Sequence, residues 1–324
     1  MNNIELVEKL QHKKESLFNE IGKVIIGQQN IIEHLFISLL CRGHVLLEGV
    51  PGLAKTLLIK TLSDALELKF NRIQFTPDLM PSDITGTDII EEDQSTGKRL
   101  FRFFEGPIFA NIVLADEINR TPPKTQAALL EAMQEHKVTT GGKTYTLDEP
   151  FFVLATQNPI EQEGTYPLPE AQLDRFMFNL LIKYPTSAEE VEIVKSTTGG
   201  IIKELSTAIS HEELASFQNL VREVPVADNV IEFAVKTVGN TRPGDNAPSI
   251  TNELLDWGAG PRASAYLILG AKAKALLDGR TTPDIDDVKS MIKPVLRHRI
   301  IPNFNAEADG ISRDMILQKL MDLS

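Results

Sequence analysis

The decisive stretch of this sequence reads Gly49-Val50-Pro51-Gly52-Leu53-Ala54-Lys55-Thr56-Leu57. It follows an apolar run at 44–48 that predicts a short buried strand, and it precedes a helix predicted over 56–66. A glycine-rich loop in this position is typical of phosphate binding, because its backbone N–H groups and the helix N-terminus face the phosphate oxygens. Lys55 is predicted to reach the β and γ phosphates, and Thr56 to ligate Mg2+. The stretch therefore predicts a P-loop that binds ATP with Mg2+.

Ala54 departs from the usual P-loop pattern, which has glycine before the lysine. Alanine is acceptable if this residue already has helical backbone angles, since no glycine-only conformation is then required. We therefore expect helical φ and ψ at Ala54. The alternative is a Gly/Pro turn with an incidental lysine, and the strand and helix around the loop argue against it.

Two acids, Asp116 and Glu117, follow a second predicted strand at 112–115, about sixty residues after the loop. Asp116 is predicted to hold Mg2+ through its water shell, and Glu117 to orient and polarise the attacking water. Paired acids at a strand end are usually solvated, but after a P-loop they indicate hydrolysis rather than binding alone. The next strand, at 151–155, leads to Asn158, which is either a nucleotide sensor or part of an Asn-Pro turn.

The arrangement of strands and helices predicts an α/β domain over 1–184. Strands are also expected at 73–75 and 178–182, and intervening helices, for example 123–134, favour a mostly parallel sheet flanked by helices. After Tyr184-Pro185-Thr186 the pattern is typical of helices only, which predicts a smaller all-α domain over 185–324. Its last long helix is expected over 283–297, with Thr282 as its cap and Pro283 at its first position.

Composition narrows the possible functions. The formal net charge is −12 and the isoelectric point is near 5.1, and neither predicted domain is basic, which argues against nucleic-acid binding. The first residues lack the features of a secretory signal and no stretch is long enough for a membrane span, so the default expectation is a cytoplasmic protein without membrane insertion. Cys41 lies in an apolar run and is expected to be a buried structural thiol.

Taken in order, these elements resemble the AAA+ superfamily of ATPases, and more narrowly the MoxR family. The broad resemblance adds Leu173-Asp174-Arg175-Phe176 and Gly260-Pro261-Arg262-Ala263-Ser264 to the loop, the acids and Asn158. The narrower one rests on 78–86, on 116–135 and on 157–176. It covers roughly residues 20–300, and its motifs are specific together rather than singly.

The resemblance implies a role for each site residue. Lys55 and Thr56 correspond to the Walker A pair, Asp116 and Glu117 to the Walker B pair, and Asn158 to sensor 1. The stretch Val24-Ile25-Ile26-Gly27-Gln28 is implied to line the adenine site.

Two arginines are implied to act at the nucleotide. Arg175 corresponds to an arginine finger that reaches the nucleotide of an adjacent subunit, and Arg262 to sensor 2. A fixed guanidinium that stabilises the transferred phosphoryl group is worth about 10³ or more in rate. The residues alone leave alternatives open: a salt bridge between Arg175 and Asp174, and a solvated helix start at Arg262. Arg120 is a second candidate for a role between subunits.

Two insertions are predicted as hairpins, near 84–106 with a polar tip at 91–98, and near 137–150 with Gly141-Gly142 at its turn. In related AAA+ clades such hairpins move with nucleotide state and touch clients; plain surface turns are the alternative.

The resemblance implies a ring, expected to be a hexamer, that remodels or matures a protein client, including metal or cofactor insertion. A partner with a von Willebrand factor A domain is implied as well. The alternatives are a magnesium-chelatase-like motor subunit, a nucleic-acid-dependent motor, and a nucleotide-gated scaffold that scarcely hydrolyses ATP.

Overall fold

The computed structural model describes residues 3–92, 99–160, 163–199 and 204–323. The helices in these ranges are α1 Asn3–Gly22, α2 Gln29–Leu40, α3 Lys55–Ala65, α4 Pro81–Thr85, α5 Pro123–Glu135, α6 Glu170–Leu173, α7 Ser187–Thr198, α8 His211–Glu223, α9 Asp228–Gly239, α10 Ser249–Leu254, α11 Pro261–Leu277, α12 Ile285–Leu296, α13 Phe304–Ala308 and α14 Arg313–Asp322. The strands are β1 Val45–Glu48, β2 Phe70–Gln74, β3 Gly86–Glu92, β4 Arg99–Glu105, β5 Ile112–Asp116, β6 Lys137–Thr140, β7 Lys143–Thr146, β8 Phe152–Gln157, β9 Phe178–Leu181, β10 Leu255–Trp257 and β11 Ile301–Pro302. A short 3-10 helix covers Ile118–Arg120.

The central sheet has five parallel strands in the order β2-β5-β8-β1-β9. In register, Val45 of β1 pairs with Leu154 of β8 on one side and Phe178 of β9 on the other. The strand order brings the carboxyl ends of β1, β5 and β8 to neighbouring positions at one edge of the sheet, which is where open α/β sheets bind ligands. The predicted parallel α/β sheet is confirmed.

Alternating side chains of the strands fill two hydrophobic clusters, one on each face of the sheet. Val45 and Leu47 point into the larger cluster, together with residues of α1, α2 and α3, while Leu46 points into the smaller cluster with α5. The sheet is therefore covered by helices on both faces, as buried parallel sheets require.

The helices α7 to α14, which we call the lid, follow the sheet. The larger cluster runs on from the sheet into the lid and includes Leu214 of α8, Leu276 of α11 and Val288 of α12. Because α1 and α2 share this cluster, the first helices of the chain contribute to the packing of the lid as well as the sheet.

The predicted helical lid is confirmed, and it also contains one short antiparallel ladder, β10 with β11. One prediction about the lid is wrong. The cap of α12 is Asp284 rather than Thr282: the Asp284 carboxylate accepts from the backbone N–H of Asp287, and the Asp287 carboxylate accepts from that of Asp284. This reciprocal capping box satisfies two N–H groups at once, which a threonine two residues earlier does not.

Both predicted hairpins are present. β3 pairs with β4, and residues 93–98 of its predicted tip lie outside the described residues. β6 pairs with β7 around Gly141 and Gly142, whose φ angles of 55° and 76° are those that a tight turn needs. The two hairpins meet where the rings of Phe103 and Tyr145 stack at 4.1 Å between centroids.

Cys41 is buried, and burial raises the pKa of its thiol to about 12. It is an inert structural thiol, as expected. Within the described ranges, no helix has both the length and the apolar character needed to cross a membrane.

Candidate functional site

The loop that follows β1 bends back on itself and packs closely against β9. A Cβ on Gly49 would lie 2.0 Å from Cγ2 of Ile182, so only glycine fits at this position. Lys55 begins α3, and its Nζ donates to the carbonyl oxygen of Gly49 at 2.7 Å. The lysine thus lies across the mouth of the loop, next to the N-terminus of the helix.

Ala54 does not have the helical backbone angles that were expected. Its φ of 53° and ψ of 28° are left-handed, and it is the N-cap residue of α3. The expectation is wrong because residue 54 ends the loop rather than beginning the helix. A left-handed conformation costs an L-residue about 1–2 kcal/mol, so this loop carries strain that a glycine would not.

One cavity of about 390 Å3 brings together the predicted site residues of the loop and of the strand ends, without the two predicted arginines. Asp116, Glu117 and Asn158 face the loop across this cavity, which is lined on the other side by consecutive residues, Pro51, Gly52, Leu53, Ala54, Lys55, Thr56 and Leu57. Gly49 and Val50 lie behind this wall, and Val50 packs against the larger hydrophobic cluster. The arrangement places two carboxylates, an amide, a hydroxyl and an ammonium group around one space.

Asp116 is held from both neighbouring strands. Oδ2 accepts from Arg72 of β2 at 2.6 Å and 3.2 Å, and Oδ1 accepts from the Thr156 hydroxyl of β8 at 2.6 Å. The same hydroxyl accepts from the backbone N–H of Glu117 at 2.9 Å. Thr156 therefore fixes the two acids relative to each other.

Glu117 has a left-handed φ of 57° and caps the 3-10 helix. Its Oε2 accepts from Gln74 Nε2 at 3.0 Å and from Arg120 Nη1 at 2.9 Å. Arg120 thus contacts the acid of its own chain. The carboxylate that is predicted to activate water is tied to β2 and to the next turn of chain.

Asn158 lies where a nucleotide sensor is expected, and it also forms the local turn. It is buried, with 6% of its surface exposed, and lines the cavity opposite the loop. Its Oδ1 also accepts from the backbone N–H of Ile160 at 3.1 Å, which makes a local turn around Pro159. The turn orients the side chain at the end of β8, between the strands that lead to the loop and to the acids.

A second cavity of about 400 Å3 shares the loop as its wall. Among the stretch predicted for the adenine site, Val24, Ile25, Ile26 and Gln28 line it, and Gly27 does not. The opposite side is formed by Tyr184 and by Ile193 and Val194 of α7. This cavity is largely apolar and continues from the polar one along the same loop.

The two predicted arginines lie elsewhere, and neither lines the two cavities described above. Arg175 donates from Nη1 to the carbonyl oxygen of Leu130 at 2.7 Å. Arg262 donates to Asp174 Oδ2 at 2.9 Å, and Asp174 Oδ1 accepts from Arg299 at 2.8 Å. The salt-bridge partners of Asp174 are therefore lid arginines rather than its neighbour Arg175. Arg262 is both paired with Asp174 and exposed at the start of α11.

Several residues of the site were missed by the sequence analysis: Arg72, Gln74, Thr156 and Arg299. One signal was available for the first two, because Arg72 and Gln74 alternate with the apolar Ile73 and Phe75, which places both polar side chains on one face of β2. The position of β2 beside β5 was not available without the strand order.

The chain matches two family models. Residues 44–178 match the ATPase family associated with various cellular activities (AAA), and residues 247–320 match the AAA lid domain. The chain is 42% identical over 313 residues to Chaperone MoxR1 of Mycobacterium tuberculosis, covering 96% of this chain and 81% of that one. It belongs to the MoxR family of AAA+ ATPases.

Other relatives agree with this membership. Protein MoxR of Methylorubrum extorquens is 29% identical over 316 residues, covering 92% of this MoxR-family chain and 90% of its relative. A crystal structure of a candidate ATPase from Cytophaga hutchinsonii superposes with a TM-score of 0.91 at 42% identity, covering 98% and 96% of the two chains. The resemblance predicted from the motifs is confirmed.

Proposed function

We propose that this MoxR-family protein binds ATP with Mg2+ in the two connected cavities and hydrolyses the γ-phosphate. The observation that carries the proposal is the polar cavity in which Lys55, Thr56, Asp116, Glu117 and Asn158 surround one space. The apolar cavity, which shares lining residues of the same loop, has the size and lining for a purine base. One nucleotide fits the pair: phosphates in the first cavity and base in the second.

Two side chains of this cavity are proposed to hold Mg2+. The Thr56 hydroxyl and the Asp116 carboxylate both line the phosphate cavity. Mg2+ usually keeps several waters and takes its remaining ligands from one or two carboxylates and from phosphates. When bound there, it would neutralise charge that develops on the phosphate oxygens.

The remaining residues have separate tasks in this proposal. Lys55 leaves the Gly49 carbonyl and contacts the phosphates, while Asn158 contacts the γ-phosphate or the water. Glu117 accepts the bonds from Gln74 and Arg120 on the same oxygen, Oε2. Its other oxygen, Oε1, is therefore proposed to orient and polarise the water. Arg120 is thus proposed to restrain the Glu117 carboxylate of its own subunit.

We propose that Arg175 and Arg262 act on the nucleotide of a neighbouring subunit. Their position outside the nucleotide cavities of their own chain supports this, as does the bond from Arg262 to Asp174, the residue that precedes Arg175. A site that needs arginines from two chains requires assembly, and a ring, proposed as a hexamer, supplies every site with them.

The proposed work of the ring is chaperone-like remodelling or maturation of a protein client, including metal or cofactor insertion. Exposed apolar side chains on the first hairpin, Ile90, Phe101 and Phe104, support a protein partner. The net charge of −12 disfavours a nucleic-acid motor. A cytoplasmic location and a partner with a von Willebrand factor A domain are proposed from family membership, and a magnesium-chelatase-like motor subunit is the nearest alternative.

Phosphate release by wild type, Lys55→Ala and Glu117→Gln tests the hydrolysis. Lys55→Ala is expected to lose ATP binding, and Glu117→Gln to keep binding and lose hydrolysis. Equal rates in all three would leave a nucleotide-gated scaffold as the function. Lys60→Ala, on an exposed position of α3, is the matched control.

Mixing variants tests the action between subunits. Chains with Arg175→Ala have an intact hydrolytic site but supply no arginine finger to the neighbouring subunit. Chains with Glu117→Gln supply the arginine finger but do not hydrolyse ATP. A mixture is expected to regain phosphate release that neither variant has alone. A mixture that stays inactive, although the two variants co-assemble, would refute action in trans.

A further inference from the structure

Side chains of the lid hold four consecutive backbone carbonyls around Arg175. Arg299 Nη2 donates to the carbonyl oxygens of Asp174 at 2.9 Å and Phe176 at 2.7 Å, and Nη1 donates to that of Met177 at 3.3 Å. The Tyr266 hydroxyl donates to the carbonyl oxygen of Arg175 itself at 3.5 Å. Every backbone carbonyl of the segment 174–177 thus accepts a hydrogen bond from a lid side chain.

Arg299 is the centre of this contact. Its side chain is only 2% exposed, which is unusual for an arginine, and its guanidinium lies 5.2 Å above the Tyr266 ring. Nε donates to the Asp174 carboxylate at 2.8 Å, and further bonds reach the Val295 carbonyl and His298 Nε2. The arginine guanidinium carries five N–H donors in one plane, so it can bond to several fixed acceptors at once. A lysine ammonium does not offer the same geometry.

One acceptor of Arg299, Asp174, connects the two arginines that are proposed to act in trans. Asp174 precedes Arg175 in the chain, and its second carboxylate oxygen accepts from Arg262 at 2.9 Å. A shift of Arg299 with the lid therefore moves the backbone on both sides of Arg175 and also the carboxylate that orients Arg262.

We propose that Arg299 is a positioning residue, which ties the lid, where Arg262 lies on α11, to the segment that carries Arg175. It thereby sets the placement of the two arginines that one subunit presents to its neighbour. The inference rests on the proposed function, because it gives Arg299 a role only if Arg175 and Arg262 act in trans. Lid movement on nucleotide exchange in one subunit then changes the arginines offered to the next. The contact is a mechanical connection between adjacent ATP sites.

Arg299→Met is expected to lower kcat by about 10²-fold, because misplacing a group by about 1 Å has an effect of that size. The Kd for ATP is expected to change less than about twofold, since Arg299 does not line the cavities of its own nucleotide site. A kcat that stays near wild type, or a loss confined to Kd, would overturn the proposal.

Arg297→Met is the matched control. Arg297 also follows α12 and joins the lid to the sheet by donating to the Asn179 carbonyl at 2.7 Å. Within the lid it pairs with Asp314 of α14 at 2.6 Å and 2.8 Å. It does not bond to residues 174–177. This variant is expected to lower the thermal unfolding temperature but to keep kcat within about twofold at temperatures where it is folded.

Mixed chains separate a positioning role from a structural one. An Arg299→Met chain keeps its own P-loop and acids, so a Glu117→Gln chain beside it is expected to restore hydrolysis by lending intact arginines. Mixing with Arg175→Ala chains is expected to restore nothing, because both chains then lend defective arginines. If Arg299→Met does not fold, Arg299→Lys goes through the same mixtures with the same expected results.

Failure of the inference about Arg299 can be distinguished from failure of the proposed function. If Arg175→Ala is rescued by Glu117→Gln while the Arg299 variant is not, the inference about Arg299 is wrong and the proposed function stands. If neither variant is rescued, action in trans is wrong and the role of Arg299 falls with it.

Discussion

Arg72 donates two hydrogen bonds to Oδ2 of Asp116, from Nε at 3.2 Å and from Nη2 at 2.6 Å. The pair crosses from β2 to β5, and Arg72 also bonds to Gln74, which in turn donates to Glu117. The acid that is proposed to face Mg2+ is therefore already paired with a cation. In the proposed function, Mg2+ would compete with this guanidinium for the carboxylate.

Arg72→Gln is expected to lower the Mg2+ concentration that gives half-maximal ATPase activity by about 2- to 5-fold, because a half-exposed ion pair is worth about 0.5–1 kcal/mol. A magnesium titration of phosphate release at fixed ATP measures it. Arg102→Gln, which removes the exposed ion pair with Glu91 on the hairpin, is the control and is expected to leave the titration unchanged. A higher magnesium requirement for Arg72→Gln would show that the pair prepares the site instead.

Ala54→Gly is expected to stabilise the protein by about 0.5–1 kcal/mol, because relief of the left-handed strain exceeds the added chain entropy of glycine. Urea unfolding without nucleotide measures the difference. Ala127→Gly, at an exposed position inside α5, is the matched control and is expected to destabilise by about 1 kcal/mol. Destabilisation by both substitutions would contradict the left-handed geometry at Ala54.

His44 is expected to make the protein less stable as the pH falls from about 6.5 towards about 4. Burial lowers the pKa of His44 to about 4. Nδ1 accepts from the Val153 N–H at 3.1 Å, and Nε2 lies 3.1 Å from the Met133 carbonyl. In this window the unfolded chain binds the proton and the folded chain does not, so protonation favours unfolding. Above the unfolded pKa this effect is absent.

The size of the His44 effect is about 2 kcal/mol at pH 5. Guanidinium unfolding at several pH values measures it, and His44→Gln is expected to flatten the dependence by this amount. His211→Gln, at an exposed position at the start of α8, is expected to leave the dependence as in wild type. An unchanged slope in His44→Gln would mean that His44 is not held neutral by the fold.

Phe103 and Tyr145 are expected to couple the two hairpins by about 1 kcal/mol, since stacked aromatic pairs contribute this much beyond area burial. A double-mutant cycle of Phe103→Ala and Tyr145→Ala on the free energy of unfolding measures the coupling. Phe104 points to the other face of β4, so the cycle of Phe104→Ala with Tyr145→Ala is expected to be additive. Additivity in both cycles would indicate that the hairpins are independent.

Much of the candidate site was predictable because its parts are local in the chain. The P-loop needs a strand, a glycine-rich turn and a helix in immediate succession, and the acids needed only an apolar strand before them. These patterns are set by side-chain periodicity and by the backbone demands of a few residues. The one local error, at Ala54, arose because the backbone angles of a cap residue depend on how the whole loop closes.

Four features could be read from the order of residues alone: the glycine-rich loop, the acid pair, the parallel α/β sheet and membership of the MoxR family. Three sets of contacts became visible only in the folded chain. Arg72 and Gln74 hold the acids, Asp174 pairs with Arg262 and Arg299, and the lid contacts the segment around Arg175. These partners are far apart in the chain, and their contacts depend on the strand order β2-β5-β8-β1-β9 and on the packing of α11 and α12. Long-range pairing of this kind is selected by burial of the common hydrophobic core, and side-chain periodicity along one segment carries no information about it.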